Sequence, residues 1–374
     1  MIDIESCIMP DNRFAQLPVK SYFDEDVLKL ERDLIFEVFP QYLGHEQWIP
    51  HVGDYLVLSH ENNGRIMVHA ENGINLLSNV CRHRQATILQ GRGTASYITC
   101  PLHQWTYAPN GTLLGAPHFP ENPCLNLENF ATQKWNGIIY EAAPHNVASA
   151  MASLPSEIAE IIDFTRYVPD KSESYRVNYN WKTFLEFYLE DYHVAPFHPG
   201  LGNFVTCDNI QWKFGEWYSV QMVGIKDTLR RPGNSEIYRK WHRAVLDYYG
   251  SDLPNYGAIW LYIYPNVMIE WYPLVLVIST VFPNGAGHSV NNVEFFHPEE
   301  IILFDTDSIT SARIAAEAYI ETAIEDNLIG ERMHEGRRAL WERGGCEVGP
   351  YQSPLEDGMR HFHALYRSQI GQYL

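Results

Sequence analysis

The chain has 374 residues, of which 45% are hydrophobic and 20% charged, and its formal net charge at pH 7 is −19. This balance is typical of a folded protein with one large or two smaller domains, and the acidic charge argues against a nucleic-acid partner. No apolar run approaches the roughly 20 residues that a membrane span needs. The N-terminal sequence MIDIESCIMPDNRF lacks the basic and apolar regions of a secretory signal, so we expect a cytoplasmic protein without a membrane partner.

The first two segments of the chain differ in their hydrophobic patterns. Residues 1–40 contain the stretch DEDVLKLERDLIFEVF, whose apolar spacing predicts a helix. Residues 41–145 contain short alternating runs such as DYLVLSH and GRIMVHA, which are separated by Asn-Gly, Gly and Pro signals. These runs predict a small all-β unit.

Residues 146–374 mix helical and strand patterns. A connector with one short helix, near SEIAEIIDF, is predicted first, and NWKTFLEFYLEDYH predicts a longer helix. The aromatic and β-branched run GAIWLYIYPNVMIEWYPLVLVISTVF predicts strands, and a long helix is predicted after Ser308. The predicted fold class is therefore α+β, with a small β domain and a larger domain in which helices flank a sheet.

Two pairs of cysteine and histidine lie in the small β unit. They are Cys81 with His83, and Cys100 with His103, separated by sixteen residues. Disulfides are not expected in a long chain without an export signal, so the close pairs predict a metal centre. Tetrahedral zinc is one alternative. Because each pair mixes one cysteine with one histidine, a [2Fe–2S] cluster with two cysteines on one iron and two histidines on the other is favoured.

A second candidate metal site lies in NWKTFLEFYLEDYHVAPFH. His193 and His198 are five residues apart, so on an undisturbed helix they would diverge by about 140°. Pro196 interrupts the helix between them, which allows both rings to turn toward one point. Two histidines and one carboxylate form the facial triad of non-heme iron oxygenases, which leaves positions open for O₂. The alternative is that each histidine is merely a partly buried polar side chain.

The motifs CRH, CPLHQWTY, NWKTFLEFYLEDYHVAPFH and IEDNLIGERMHEG together resemble the catalytic (α-type) subunit of Rieske non-heme iron oxygenases. This family includes aromatic-ring-hydroxylating and choline monooxygenase-like members. The resemblance implies a Rieske domain at 41–145 and a catalytic domain at 146–374 with an antiparallel sheet of the helix-grip type, on which residues 1–40 pack. It implies a [2Fe–2S] cluster and a mononuclear Fe(II). The implied cluster ligands are Cys81, His83, Cys100 and His103, and the implied iron ligands are His193, His198 and Asp326, with Glu325 as the alternative carboxylate.

The resemblance also implies an oligomer and an electron donor. An acid three residues before the first ligand histidine links the iron site to the Rieske centre of a neighbouring subunit, in a homotrimer. This acid corresponds to Glu190, with Asp191 beside it as the alternative. The chain has no G-x-G-x-x-G and no plant-type ferredoxin cysteine motif, so a separate flavin and NAD(P)H reductase, with or without a ferredoxin, must deliver the electrons.

Some residues depart from the family pattern. Phe187 stands where Asn is frequent, Gln104 where Gly is frequent, and His334 where Gln is frequent. None of these positions carries a predicted ligand, but Phe187 and His334 can change the surroundings of the iron site. His361 and His363 are interpreted as structural or access-lining residues.

The expected function is that of a terminal oxygenase, which uses O₂ to hydroxylate or demethylate a small molecule. Many aromatic residues occur in the predicted strands and after the ligand histidines, although only about half of them can face a pocket. They suit a planar aromatic hydrocarbon or a quaternary ammonium compound, and either mono- or dioxygenation. The alternatives are a Rieske electron carrier or redox sensor, and a zinc-stabilised binding protein.

Overall fold

The structure is a computed structural model that describes residues 15–226, 233–304 and 308–374, without the side chains of 303, 304 and 308–310. The chain divides into two compact units. One unit is Glu37–Ala152, and the other joins the segment that ends at Phe36 to Ser153–Leu374. The sequence MIDIESCIMPDNRF, on which the expectation of no export signal depends, lies outside the described residues.

The N-terminal segment is helical. It forms α1 (Lys20–Phe23) and α2 (Glu25–Glu31), followed by a π-helical turn over Arg32–Phe36. The Asp24 side chain accepts the Asp26 N–H and so caps α2, as acidic residues commonly do at helix starts.

The unit Glu37–Ala152 consists of short antiparallel strands in three sheets, with the orders β1-β11-β10, β5-β2-β3-β4-β9 and β6-β7-β8. One short helix, α3 (Val147–Met151), follows the last strand. The strands are β1 (Tyr42–His45), β2 (Asp54–Val57), β3 (Arg65–Ala70), β4 (Gly73–Ser78), β5 (Arg92–Thr94), β6 (Ile98–Thr99), β7 (Thr106–Tyr107), β8 (Leu113–Gly115), β9 (Asn129–Phe130), β10 (Thr132–Trp135) and β11 (Ile138–Glu141).

The other unit contains a seven-stranded antiparallel sheet in the order β12-β18-β17-β16-β15-β14-β13. The run GAIWLYIYPNVMIEWYPLVLVISTVF supplies its centre, and β12 begins inside the predicted connector. The strands are β12 (Tyr167–Val177), β13 (Val205–Phe214), β14 (Tyr218–Ile225), β15 (Ala258–Ile263), β16 (Val267–Tyr272), β17 (Val275–Pro283) and β18 (Ser289–Pro298).

Helices pack against this sheet, so the predicted α+β class is confirmed. The core between the sheet and its helices includes four small residues of α10, which allow that helix to lie close to the strands: Ala312, Ala315, Ala316 and Ala318. The helices are α4 (Ser156–Ile161), α5 (Trp181–Tyr188), α6 (Val194–Phe197), α7 (Leu201–Phe204), α8 (Glu236–Tyr249), α9 (Glu299–Phe304), α10 (Ser308–Glu342) and α11 (Asp357–Ile370). Among the helices of the described residues, none is both long and apolar enough to cross a lipid bilayer.

Helix α5 is shorter than the sequence predicts. It ends at Tyr188, although the helical pattern continues to Tyr192. The Asp191 N–H donates to the Leu355 carbonyl, and the Leu189 carbonyl accepts the Met359 N–H. These bonds to a distant part of the chain replace the next helical bonds, so the backbone leaves the helix before it reaches the predicted ligand histidines.

Candidate active site

The two cysteine–histidine loops of the small unit have matched backbones. In each loop the N–H of a glutamine four residues after the cysteine donates to the carbonyl of that cysteine, from Gln85 to Cys81 and from Gln104 to Cys100, both at 3.0 Å. Both glutamines have left-handed backbones, with φ of 59° and 58°. The left-handed conformation of Gln104 explains why the family often has glycine at this position.

The four predicted cluster ligands come together between these loops. Cys81 and Cys100 are buried and form no disulfide, and the ring centroids of His83 and His103 lie 4.6 Å apart. The His83 ring is also stacked on Trp105, with centroids 5.1 Å apart.

The protonation chemistry of this group fits an iron–sulfur cluster. Burial opposes ionisation of Cys81, but N–H groups of His83 and Arg84 and the Tyr107 hydroxyl outweigh burial and lower the pKa of this thiol. A thiolate is the form that binds iron. His83 Nδ1 is buried without a hydrogen-bond partner in the described residues, as expected for a nitrogen that binds a metal.

The second group of predicted ligands also converges. The potential donor atoms of His193, His198 and Asp326 all lie within 4.8 Å of one another. Asp326 Oδ1 is 3.4 Å from His193 Nε2 and 3.0 Å from His198 Nε2. The two histidines flank the short helix α6, and Asp326 is supplied by α10. Pro196 lies inside α6, so the break that orients the histidines precedes His193 and is not at the proline.

Carboxylates fix the orientation of both imidazoles. His193 Nδ1 contacts Glu190 Oε1, and His198 Nδ1 lies 2.7 Å from Glu325 Oε2. When Nδ1–H donates to a carboxylate, Nε2 keeps its lone pair for a metal. Asp326 Oδ1 is buried and makes no well-aligned hydrogen bond, although both Nε2 atoms are near. The donor set therefore fits a facial ferrous site better than a hydrogen-bonded cluster.

The neighbouring acids Glu190 and Asp191 have different surroundings. Glu190 contacts His193, whereas the buried carboxyl of Asp191 lies next to the side chains of Cys207 and Gln221. Burial raises the pKa of Asp191 to about 7. Glu325, the alternative iron ligand, instead contacts the outer nitrogen of His198.

The group formed by His193, His198 and Asp326 lies on the wall of a cavity with many aromatic side chains. Of the aromatic residues in the strand run GAIWLYIYPNVMIEWYPLVLVISTVF, Trp260 and Tyr272 line this cavity. Phe187, one of the departures from the family pattern, also lines it. His361 and His363 do not, and His363 instead lies 2.9 Å from Glu186.

Sequence reasoning missed Glu270, Tyr188 and Tyr319, which also line the cavity. Glu270 is 3% exposed, and its carboxylate accepts hydrogen bonds from the hydroxyls of Tyr272 and Tyr319. Burial raises the pKa of Glu270 to about 8. The available signal was a lone acid within the strand VMIEWY, which is otherwise apolar and aromatic.

A two-cysteine, two-histidine centre in a small β unit and a two-histidine, one-carboxylate group in an α+β unit are the arrangement of Rieske non-heme iron oxygenases. The family model for the Rieske [2Fe-2S] domain matches residues 43–131. The family model for the ring hydroxylating alpha subunit (catalytic domain) matches residues 164–372. The chain belongs to this family of Rieske oxygenase alpha subunits.

Two relatives cover nearly the whole chain. The putrescine 2-hydroxylase of Ralstonia nicotianae is 54% identical over 94% of this chain and 95% of its own length. The carnitine monooxygenase oxygenase subunit of Escherichia coli K12 is 24% identical over 96% of each chain. A solved quaternary ammonium Rieske monooxygenase has the same fold, with a TM-score of 0.77 and 18% identity over 96% of each chain.

These similarities confirm several predictions. The protein is an oxidoreductase, a Rieske-type terminal oxygenase with a [2Fe–2S] cluster and a mononuclear iron, and it uses O₂, a small-molecule substrate and electrons from a reductase. The match to the catalytic domain supports an oxygenase and not the alternatives of an electron carrier, a redox sensor or a zinc-stabilised binding protein.

Proposed function

We propose that the protein hydroxylates a small aliphatic amine of the putrescine class at carbon. The observation that carries this proposal is the lining of the cavity beside His193, His198 and Asp326. Among the described lining residues there are aromatic rings and carboxylates but no Lys or Arg, so the cavity suits an organic cation better than a neutral aromatic hydrocarbon. The relative of 54% identity is named for the same chemistry.

The proposed roles follow from the contacts of each side chain. Cys81, Cys100, His83 and His103 hold the cluster, and His193, His198 and Asp326 hold the iron. When bound, the cluster supplies electrons one at a time and the ferrous iron supplies a position for O₂. Glu190 and Glu325 keep the proton on Nδ1 of the two ligand histidines, and the aromatic wall excludes water and holds the substrate.

The proposed oligomer is a homotrimer, and the proposed electron bridge is Glu190 in preference to Asp191. Glu190 contacts a ligand histidine, and Tyr192 beside it is exposed. In the small unit, the ligand His103 is exposed beside the exposed Leu102, and the exposed Phe119 lies against His83, with ring centroids 5.9 Å apart. Each of these surfaces is suited to contact with another copy of the chain. The electron donor is a flavin and NAD(P)H reductase, with or without a ferredoxin.

The function is tested with the purified protein, NADH and a surrogate reductase. Oxygen uptake and product mass are measured with putrescine, choline and benzoate. We expect uptake with putrescine and a product that carries one added oxygen atom. The proposal would be contradicted if benzoate were the only one of the three compounds that supported oxygen uptake. His198→Ala is the control, because it should keep the visible spectrum of the cluster and lose the uptake.

The homotrimer is tested by complementation. A His103→Ala chain and a His198→Ala chain are each expected to be inactive. Co-expression should restore part of the activity, because a mixed trimer contains an intact cluster on one chain beside an intact iron site on its neighbour. Absence of restored activity in verified mixed trimers would contradict electron transfer between subunits.

A further inference from the structure

The central strand of the large sheet carries a carboxylate into the cavity. Glu270 lies on β16, where it pairs with Trp260 on β15 and with Val277 on β17. Trp260 and Tyr272 line the same cavity as Glu270, whereas the intervening Trp271 does not. Since side chains alternate between the faces of a strand, Glu270 is directed into the cavity by the register of the sheet.

Two hydroxyl donors fix the orientation of this carboxylate, and a third donor orients one of those hydroxyls. The Tyr319 hydroxyl donates to Glu270 Oε1 at 2.9 Å, and the Tyr272 hydroxyl donates to Oε2 at 3.0 Å. The Trp260 indole N–H donates to the Tyr272 hydroxyl at 2.7 Å, which directs the proton of that hydroxyl toward Glu270. Each carboxylate oxygen thus has one donor and keeps capacity for another.

What this carboxylate lacks is a positively charged side chain of Lys or Arg beside it. No Lys or Arg is among the cavity-lining residues that the structure describes. Two other buried carboxylates of the same unit have one, since Glu31 pairs with Lys182 and Glu186 with Arg337. A buried carboxylate without a positive partner is costly, so a site that keeps one in a cavity is suited to a ligand that brings the positive charge.

We propose that Glu270 accepts the N–H groups of a substrate ammonium and selects amine cations that carry N–H over quaternary ammonium ions. The proposal rests on the function proposed above and adds the residue that sets its specificity. An N–H donor forms a charge-assisted hydrogen bond with the carboxylate. A quaternary ammonium has no N–H, so it forms no such hydrogen bond and is held by the ring faces of Trp260, Tyr272 and Tyr319 and by Coulombic attraction alone.

The test compares binding by two carboxylate variants. Calorimetry on the iron-loaded holoenzyme, without reductase so that no turnover occurs, gives the dissociation constants of putrescine and choline at pH 8.5. Glu270→Gln should weaken putrescine binding by roughly 30-fold or more and choline binding by a smaller factor, of roughly tenfold or less. Glu294→Gln is the matched control. Glu294 is 7% exposed on β18, between the cavity-lining Val293 and Phe295, and so faces the opposite side of the sheet.

The outcomes separate this inference from the proposed function. Unchanged putrescine binding by a Glu270→Gln protein with an intact cluster spectrum would overturn the role of Glu270, while the proposed function would stand. Failure of the wild-type protein to bind and hydroxylate any amine would overturn the proposed function itself. If Glu270→Gln does not fold, Tyr319→Phe provides the test. It removes one donor to the carboxylate, so it should weaken putrescine binding roughly two- to tenfold and leave choline unaffected, and no change would contradict the proposal.

Discussion

Glu31 and Glu270 are both buried carboxylates of the same unit, but their surroundings differ in one respect. Glu31 accepts hydrogen bonds from Lys182 Nζ at 2.5 Å, Trp181 Nε1 at 2.8 Å and the Tyr366 hydroxyl at 2.6 Å. Glu270 accepts two hydroxyl donors and has no cation among the described lining residues. The carboxylate with a full set of partners joins α2, α5 and α11, whereas the carboxylate without a cation faces an open cavity. The comparison separates a structural acid from one that is available to a ligand.

The largest expected effect is on stability. Glu31→Gln leaves Lys182 buried without its counter-charge and should lower the free energy of unfolding by about 3–5 kcal/mol. Glu270→Gln removes an uncompensated charge, so without amine it should cost less than about 1 kcal/mol at pH 8.5. Urea unfolding followed by tryptophan fluorescence measures both variants. Equal losses would mean that the two carboxylates are alike in their structural role.

The second effect is a pH dependence of amine binding. Burial raises the pKa of Glu270 to about 8, so below that pH a proton competes with the substrate ammonium for the carboxylate. A primary ammonium, with a pKa near that of lysine at about 10, stays charged throughout this range. The dissociation constant of putrescine should therefore rise about tenfold for each pH unit below 8 and level off above it.

Among the other groups of the cavity, Asp191 has a pKa that burial raises to about 7, so Asp191 adds to the profile mainly below that pH. Burial raises the pKa values of Tyr188, Tyr272 and Tyr319 well above their usual range, so these hydroxyls stay neutral. Asp326 also acts on Glu270, and the neighbouring histidines lower its pKa, so it stays ionised. Calorimetry between pH 6 and 9 measures the profile, and Glu270→Gln should flatten it between pH 7 and 9, where Asp191 no longer titrates appreciably. A slope that persists in this variant would assign the titration to another group.

The smallest effects are expected along the chain of donors to Glu270. Tyr272→Phe removes a direct donor and should weaken putrescine binding roughly two- to tenfold. Trp260→Phe keeps an aromatic ring in the cavity wall but removes the N–H that orients the Tyr272 hydroxyl, and its effect should be about threefold or less. Dissociation constants at pH 8.5 test this order. A larger effect of Trp260→Phe would mean that the indole contacts the substrate directly.

Local sequence carried much of the information about the two metal sites. Cys81 with His83, and Cys100 with His103, lie within short loops whose own backbone bonds shape them, so their spacing alone predicts a common centre. The spacing of His193 and His198 also predicts a common site, but the predicted helix before them ends earlier than expected. Bonds to Leu355 and Met359, far along the chain, end that helix at Tyr188, and no local pattern encodes such partners.

The sequence does not show which way the side chains of Glu190 and Asp191 point. It does not show the role of Glu270 either. Two adjacent acids are equivalent in a motif, and only the fold brings one to His193 and the other to Cys207. Glu270 appears in the sequence as one acid in a strand. Its significance depends on Tyr319, which α10 supplies from a distant part of the chain, and on the lack of a cation among the described residues around the cavity.

The sequence by itself determined the family, the two kinds of metal centre and the α+β class, because these depend on residue types at short spacings and on hydrophobic periodicity. The tertiary structure alone decided which side chains share the cavity and which buried charges have partners. Burial and charge pairing are properties of the packed chain, since they depend on every element that surrounds a group and not on its neighbours in sequence.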